Sequence, residues 1–266
     1  MLKIFSLVTL LICLCEQIMG QSNSNSFHAR FDSLLEINVH KNKGVNYTNI
    51  KNNPRQLLQY LEKIRNFSPT SHPGLFKTPQ HSLAYWINAY NATVIAFVVK
   101  HYPIKSLLDV DPLEIVFEKE TYRFGKESLS LNDIQKSKLL NTFKDPRIHF
   151  SLNCASMSCP PIENSAYTYF NVEKKLKAAE MRFAKNQDQL FLKNDTLYVN
   201  KILKWYVTDF KEYYPPQRPY ESTQHYAVNY FRSFIDELNY GIQLKKIITV
   251  KFLQYNWTLN DSKLYK

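Results

Sequence analysis

Seventeen consecutive residues without a charge, Leu83 to Val99 (LAYWINAYNATVIAFVV), set the terms for the rest of this chain. A helix that is apolar on every side must be covered on every side, by lipid or by protein. Lipid is a poor host here, because Asn88, Tyr90, Asn91 and Thr93 carry polar groups into the middle of the run. The pattern therefore predicts a central core helix, with Ser82 as its cap. Asn88 and Asn91 are three positions apart and share one helical face. A buried amide left without partners costs about 1–3 kcal/mol, so both must find hydrogen bonds elsewhere in the fold.

The plausible counterpart is Asp145 to Ile162, DPRIHFSLNCASMSCPPI. Ile148, Phe150 and Leu152 alternate with polar residues, which predicts a strand from Arg147 to Cys154. Alternation places Phe150, Leu152 and Cys154 on an apolar side and His149, Ser151 and Asn153 on the other. On that reading Asn88, Asn91, Ser151 and Asn153 are binding residues of a polar pocket at a helix–strand junction, suited to a small polar or peptide-like ligand. His149 is the group there that titrates near neutrality, hence the candidate catalytic acid or base. The competing expectation is a satisfied core network that only fixes the packing. A nucleophilic Cys154–His149 pair is disfavoured, since a separation of five puts the two on opposite faces unless a bulge follows Leu152.

At the N-terminus, Lys3 precedes an apolar run from Ile4 to Cys15, followed by Gly20 and QSNSNS. This is the layout of a secretory signal peptide over residues 1–20, with a flexible leader at 21–26 and a single domain over 27–262. The expected location is extracellular or the lumen of the secretory pathway. Cys13 and Cys15 leave with the leader, so Cys154 and Cys159 remain. In an oxidising compartment they are expected as a disulfide, with free buried thiols as the alternative. Two cysteines are too few for a zinc site, and no metal or other cofactor is expected. Sequons at Asn46, Asn66, Asn194, Asn256 and Asn260 are candidate glycosylation sites, whereas Asn91 lies in the apolar helix and is expected unmodified. The net charge of +11 comes from lysines spread singly or in pairs. That pattern speaks against nucleic acid as a partner and for a solvated basic exterior, with contact to anionic glycans or surfaces at most.

The remaining pattern gives helices to about Asn38, from Pro54, from a Ser130 cap, over Val172–Ala184, over Ile202–Tyr213 and over Ala227–Tyr240. Hairpins are expected around Lys119 and at Asn194-Asp195, and strands over Ile242–Val250 and Phe252–Trp257. The class is α+β: a central buried helix packed on a small mixed or antiparallel β-sheet, surrounded by further helices.

Five segments carry a resemblance: YWINAYNA (Tyr85–Ala92), LSLNDI (Leu129–Ile134), DPRIHFSLNCASMSCPPI, LKWYVTDF (Leu203–Phe210) and YNWTLN (Tyr255–Asn260). In this order they resemble the family known as domain of unknown function 547. The resemblance implies no reaction and no agreed catalytic set. In similar proteins the domain also occurs joined to glutaredoxin-like domains, which encourages a thiol–disulfide role for Cys154 and Cys159, although C-x4-C is not the C-x-x-C that tunes a redox pair. The chain departs from the family pattern at Gln135, where Glu is usual, at Leu140, where a nearby Arg is usual, and at Asn256, usually acidic. By layout alone, a helix against a histidine-bearing strand is similar to papain-like and transglutaminase-like hydrolases. The cysteine those enzymes keep near the helix start is absent, since His81, Ser82 and Leu83 stand there.

Overall fold

A computed structural model describes residues 27–40, 44–193, 196–213 and 249–264. The leader, the sequon at Asn194 and the expected helix over 227–240 lie outside these residues. The uncharged run forms the inner part of a helix, Pro79–His101, buried almost continuously from Leu83 to Val98. It begins earlier than expected. Pro79 occupies the first turn, where its missing N–H is not needed, Thr78 stands at the cap position, and Ser82 is already helical. The helix is long and apolar enough to cross a membrane, but 83 % of its most apolar window is covered by the fold itself.

The cover consists of helices. Tyr47–Asn52, Arg55–Asn66, the π-helical stretch Ile134–Leu140 and Val172–Lys185 all pack on the central helix. Each presents an apolar stripe at helical spacing, as with Leu57, Tyr60 and Ile64. The first helix, 27–38, buries Phe27, Phe31, Leu34 and Leu35. Phe31 stacks on Tyr60 with ring centroids 4.8 Å apart.

The strands form three small sheets beside this bundle, so the class is α+β. Val39–His40 pairs with Gly44–Val45, and Thr121–Phe124 with Glu127–Ser130, both antiparallel. Leu190–Lys193 runs antiparallel to Thr196–Val199, which Thr249–Phe252 joins in parallel. The hairpin expected around Lys119 falls one turn later, because Ile115–Lys119 is π-helical and the chain reverses at Gly125. Gly125 has φ 60°, and a Cβ there would meet Ser71 Oγ at 2.3 Å. Only glycine fits such a turn. Ser130 caps the next helix as expected: its hydroxyl accepts from Asp133 N–H, while the Asp133 carboxylate accepts from Ser130 N–H.

Residues 147–154 are not a strand. Pro146–Phe150 is a 3-10 helix opened by Asp145, whose carboxylate accepts from Arg147 N–H at 2.9 Å. An Asp cap followed by Pro is a helix start, and it overrides the apolar alternation. The alternation has another origin. Ile148, Leu152 and Ala155 belong to the core around the central helix, whereas Phe150 belongs to a second core with Phe183, Phe210 and the three-stranded sheet. The segment threads between two cores. The expected Ile202–Tyr213 helix is interrupted at Tyr206, giving Ile202–Trp205 and Val207–Tyr213. In the region 249–257 the strand stops at Phe252, so the expected strand through Trp257 does not form.

Candidate functional site

The two amides of the central helix hold main chain. Asn91 donates from Nδ2 to the Ser151 carbonyl at 2.9 Å and accepts from Asn153 N–H at 2.9 Å. Asn88 makes the same two-point grip on Tyr167, donating to its carbonyl at 2.8 Å and accepting from its N–H at 2.9 Å. Ser151 Oγ donates to the Ile148 carbonyl at 2.7 Å. Asn153 donates to the Pro160 carbonyl at 2.8 Å, and its Oδ1 accepts from Ala155 N–H and Asn260 Nδ2. The expected binding set is therefore corrected. Asn91 does meet the 151–153 segment, Asn88 does not, and all four side chains are satisfied by the chain itself. Asn88, Asn91 and Ser151 are absent from the walls of the cavity that His149 reaches, and Asn153 borders a separate polar groove.

That cavity, of about 490 Å³, is where His149 faces. Its walls include Tyr90, Gln135, Trp205, Tyr206, Tyr255 and Trp257, together with Cys154 and Cys159. Each of the five segments that carry the resemblance supplies at least one wall residue, Asn132 standing for LSLNDI. His149 is buried, with Nε2 at 2.8 Å from Asp209 Oδ2 and its ring stacked on Tyr206 at 4.0 Å. A carboxylate only accepts, so the imidazole hydrogen is on Nε2 and Nδ1 carries the lone pair. The nearest donor to Nδ1 is Gln135 Nε2, at a long 3.5 Å. Burial pulls the imidazole pKa below its usual 6.5, while the Asp209 hydrogen bond and charge oppose that drop. The ring is thus neutral at pH 7, a base held in one tautomer.

The cysteines are free thiols in the structure, not the expected disulfide. Cys154 is half-buried and Cys159 buried. Ala155, at φ 59°, turns the chain between them in the left-handed region, a conformation that costs a non-glycine residue about 1–2 kcal/mol. The turn is closed by Cys159 N–H on the Ser156 carbonyl at 3.1 Å, and Cys154 N–H donates to Cys159 Sγ at 2.8 Å. Cys154 Sγ lies 3.2 Å from both Ser156 Oγ and Tyr255 OH. Hydrogen bonds from Cys159, then Ser156 and Tyr255, bring the Cys154 thiol down to about 7 against the effect of burial, whereas burial pushes Cys159 well up. The parity objection to His149 and Cys154 sharing a site fails with the strand, since both line the cavity. Among the described residues no hydrogen bond joins them. No group of three or more His, Cys, Asp or Glu among the described residues is placed to hold a metal ion.

Of the sequons, Asn260 is corrected: it is buried and accepts from Tyr47 OH at 2.7 Å, leaving no room for a glycan. Asn91 is likewise buried. Asn46 caps a helix through Asn49 N–H, and Asn66 and Asn256 are exposed.

Asp209, Tyr206 and Tyr255 are not singled out as site residues by the sequence, whereas Gln135 is, through its departure from the family's usual Glu. Asp209 left one signal: it follows the inward-facing Tyr206 by three positions, so the two share a helical face.

Residues 76–184 match the family model described as protein of unknown function, DUF547. Over that stretch the chain is similar to the DUF547 family. The matched stretch contains the central helix, Gln135, His149 and both cysteines, while Tyr255 and Trp257 of the cavity wall, and Asp209, which pairs with His149, come from later in the chain. No curated protein and no solved structure matches the chain.

Proposed function

We propose that the DUF547-like domain of this chain is a small-ligand active site, in which His149, oriented by Asp209, acts as general base on a polar or peptide-like ligand held between aromatic walls. The observation that carries this is the 2.8 Å contact between the buried, cavity-lining His149 and the half-buried Asp209, with the unprotonated Nδ1 making only a long contact to Gln135. A base in this state takes a proton from water or from a ligand hydroxyl, and the carboxylate stabilises the imidazolium that forms. Hydrolysis or acyl transfer is the reaction class that such a group serves. The apolar leader supports placing the protein in the secretory pathway. A tagged full chain should be secreted and one lacking residues 1–20 retained inside the cell; retention of the full chain, or secretion of the truncated one, overturns that placement. The cavity walls include Glu114 and Glu118 and no Lys or Arg among the described residues, so contact with anionic glycans, if made, belongs to the outer surface.

The test is a panel of chromogenic esters and peptide anilides with small acyl groups. Hydrolysis by the native chain, reduced on the order of 10²–10⁴-fold in His149→Gln with an unchanged melting transition, is the expected result. The rate should rise with pH through a midpoint below 6.5 and then level off. Equal rates in His149→Gln and native chain overturn the reading, as does a panel with no hydrolysed member.

A further inference from the structure

Cys154 and Cys159 stand on the same cavity but play no part in the His149 chemistry. Counted along the sequence they are five apart, too far for a familiar redox spacing. The left-handed turn at Ala155 removes that distance, bringing the Cys154 N–H onto Cys159 Sγ at 2.8 Å. The two sulfurs are unequal. Cys154 is the more accessible, with two hydroxyls at 3.2 Å that can donate to a thiolate. Cys159 is buried behind it, its thiol directed at the Leu152 carbonyl at 3.5 Å. An accessible, hydrogen-bonded sulfur beside a shielded one is the division of labour of attack and resolution.

We infer that Cys154 and Cys159 form a dithiol–disulfide pair that reduces a small, uncharged aromatic disulfide bound in the cavity. The Cys154 thiolate attacks one substrate sulfur, forming a mixed disulfide and expelling the first thiolate. Cys159 loses its proton and attacks Cys154 Sγ, closing the Cys154–Cys159 disulfide and expelling the second. The substrate gains two electrons and two protons and leaves as two thiols, and a low-molecular-weight thiol returns the pair to the reduced form. Aromatic walls favour an aromatic disulfide, and Glu114 and Glu118 disfavour an anionic one. The inference is independent of His149 and goes beyond the hydrolytic reading.

The test uses the full chain with Cys13 and Cys15 changed to Ser, reduced and then mixed with dithiodipyridine. The native pair should release two thiopyridones and end as a Cys154–Cys159 linked peptide by mass spectrometry. Cys159→Ser should release one and keep a thiopyridyl adduct on Cys154, and Cys154→Ser should react at least about tenfold more slowly. A stable adduct in the native pair, or an adduct mapped to Cys159, overturns the proposal. Because the linked peptide is read on unmutated cysteines, a variant that fails to fold does not remove the test. His149→Gln should leave the linkage intact, which separates this result from the fate of the hydrolytic reading.

Discussion

Replacing Asn91 by Ala strips two buried main-chain groups of their partners at once, the Ser151 carbonyl and the Asn153 N–H. Both residues are nearly inaccessible, so water cannot take over. At about 1–3 kcal/mol for each orphaned group, the loss should be about 2–6 kcal/mol. That is a large part of the stability of an ordinary domain. Asn91→Asp refines the test. It keeps an acceptor for Asn153 N–H but turns a second oxygen toward the Ser151 carbonyl, where only a protonated carboxyl can donate. The folded-state pKa of that Asp is thereby raised above its unfolded value, so its contribution is present at low pH and lost as pH rises through the folded pKa. The deficit of Asn91→Asp relative to the native chain should shrink on acidification, and that of Asn91→Ala should not. Urea unfolding followed by tryptophan fluorescence, with Trp86 on the same helix, measures both. A loss under 1 kcal/mol for Asn91→Ala, or an Asp variant whose deficit ignores pH, would refute the clamp.

Four further outcomes follow from the same geometry. His28 is buried against Tyr60 OH at 2.8 Å, and burial lowers its pKa from 6.5 to about 3. The unfolded chain then binds a proton that the folded chain refuses, so stability should fall by on the order of 5 kcal/mol as pH drops through that window, and His28→Phe should flatten the acid limb of an unfolding titration. Ser130→Ala removes the reciprocal cap with Asp133 and should cost about 1 kcal/mol in the same unfolding assay. Gln135→Glu puts a carboxylate beside His149 Nδ1, so the low-pH limb of any hydrolytic rate should move upward, read from the pH profile. On expression through a eukaryotic secretory pathway, glycopeptide mapping should find sugar at Asn66 and none at Asn91 or Asn260.

The parts of the fold legible in the sequence are those where one local signal acts alone. The uncharged run had to be a covered helix, the Ser130–Asp133 capping pattern had to open one, and the apolar stretches Leu190–Lys193 and Thr196–Val199 had to pair as antiparallel strands. The misreadings occur where two signals compete. Ile148, Phe150 and Leu152 alternate as a strand would, yet Asp145-Pro146 starts a helical turn, and the alternation arises because successive apolar residues enter different cores. Period-two reasoning assumes one buried face, and a segment lying between two cores has two. The hairpin at Lys119 failed for a related reason: polar residues there close a π-helical turn, while the positive φ that reverses a chain belongs to Gly125.

The site was half legible, and the division has a physical basis. Short amides on a buried helix reach main chain before they reach a ligand, because the groups nearest to them are the N–H and C=O of the packed segment, and those must be satisfied. Asn88, Asn91 and Asn153 accordingly fix where the 151–153 and Tyr167 segments lie. Groups with one polar end and a flat apolar body can instead face a cavity without leaving an orphan behind, and the walls are built from them: Tyr90, His149, Tyr206, Tyr255 and the two tryptophans. A pocket read from polar residues alone therefore selects the scaffold, whereas one read from aromatic residues and sulfur in the same segments selects the wall. On that rule His149 is the residue common to both readings. Its Asp209 partner is supplied from sixty positions away by a helix that sequence periodicity could orient but not dock.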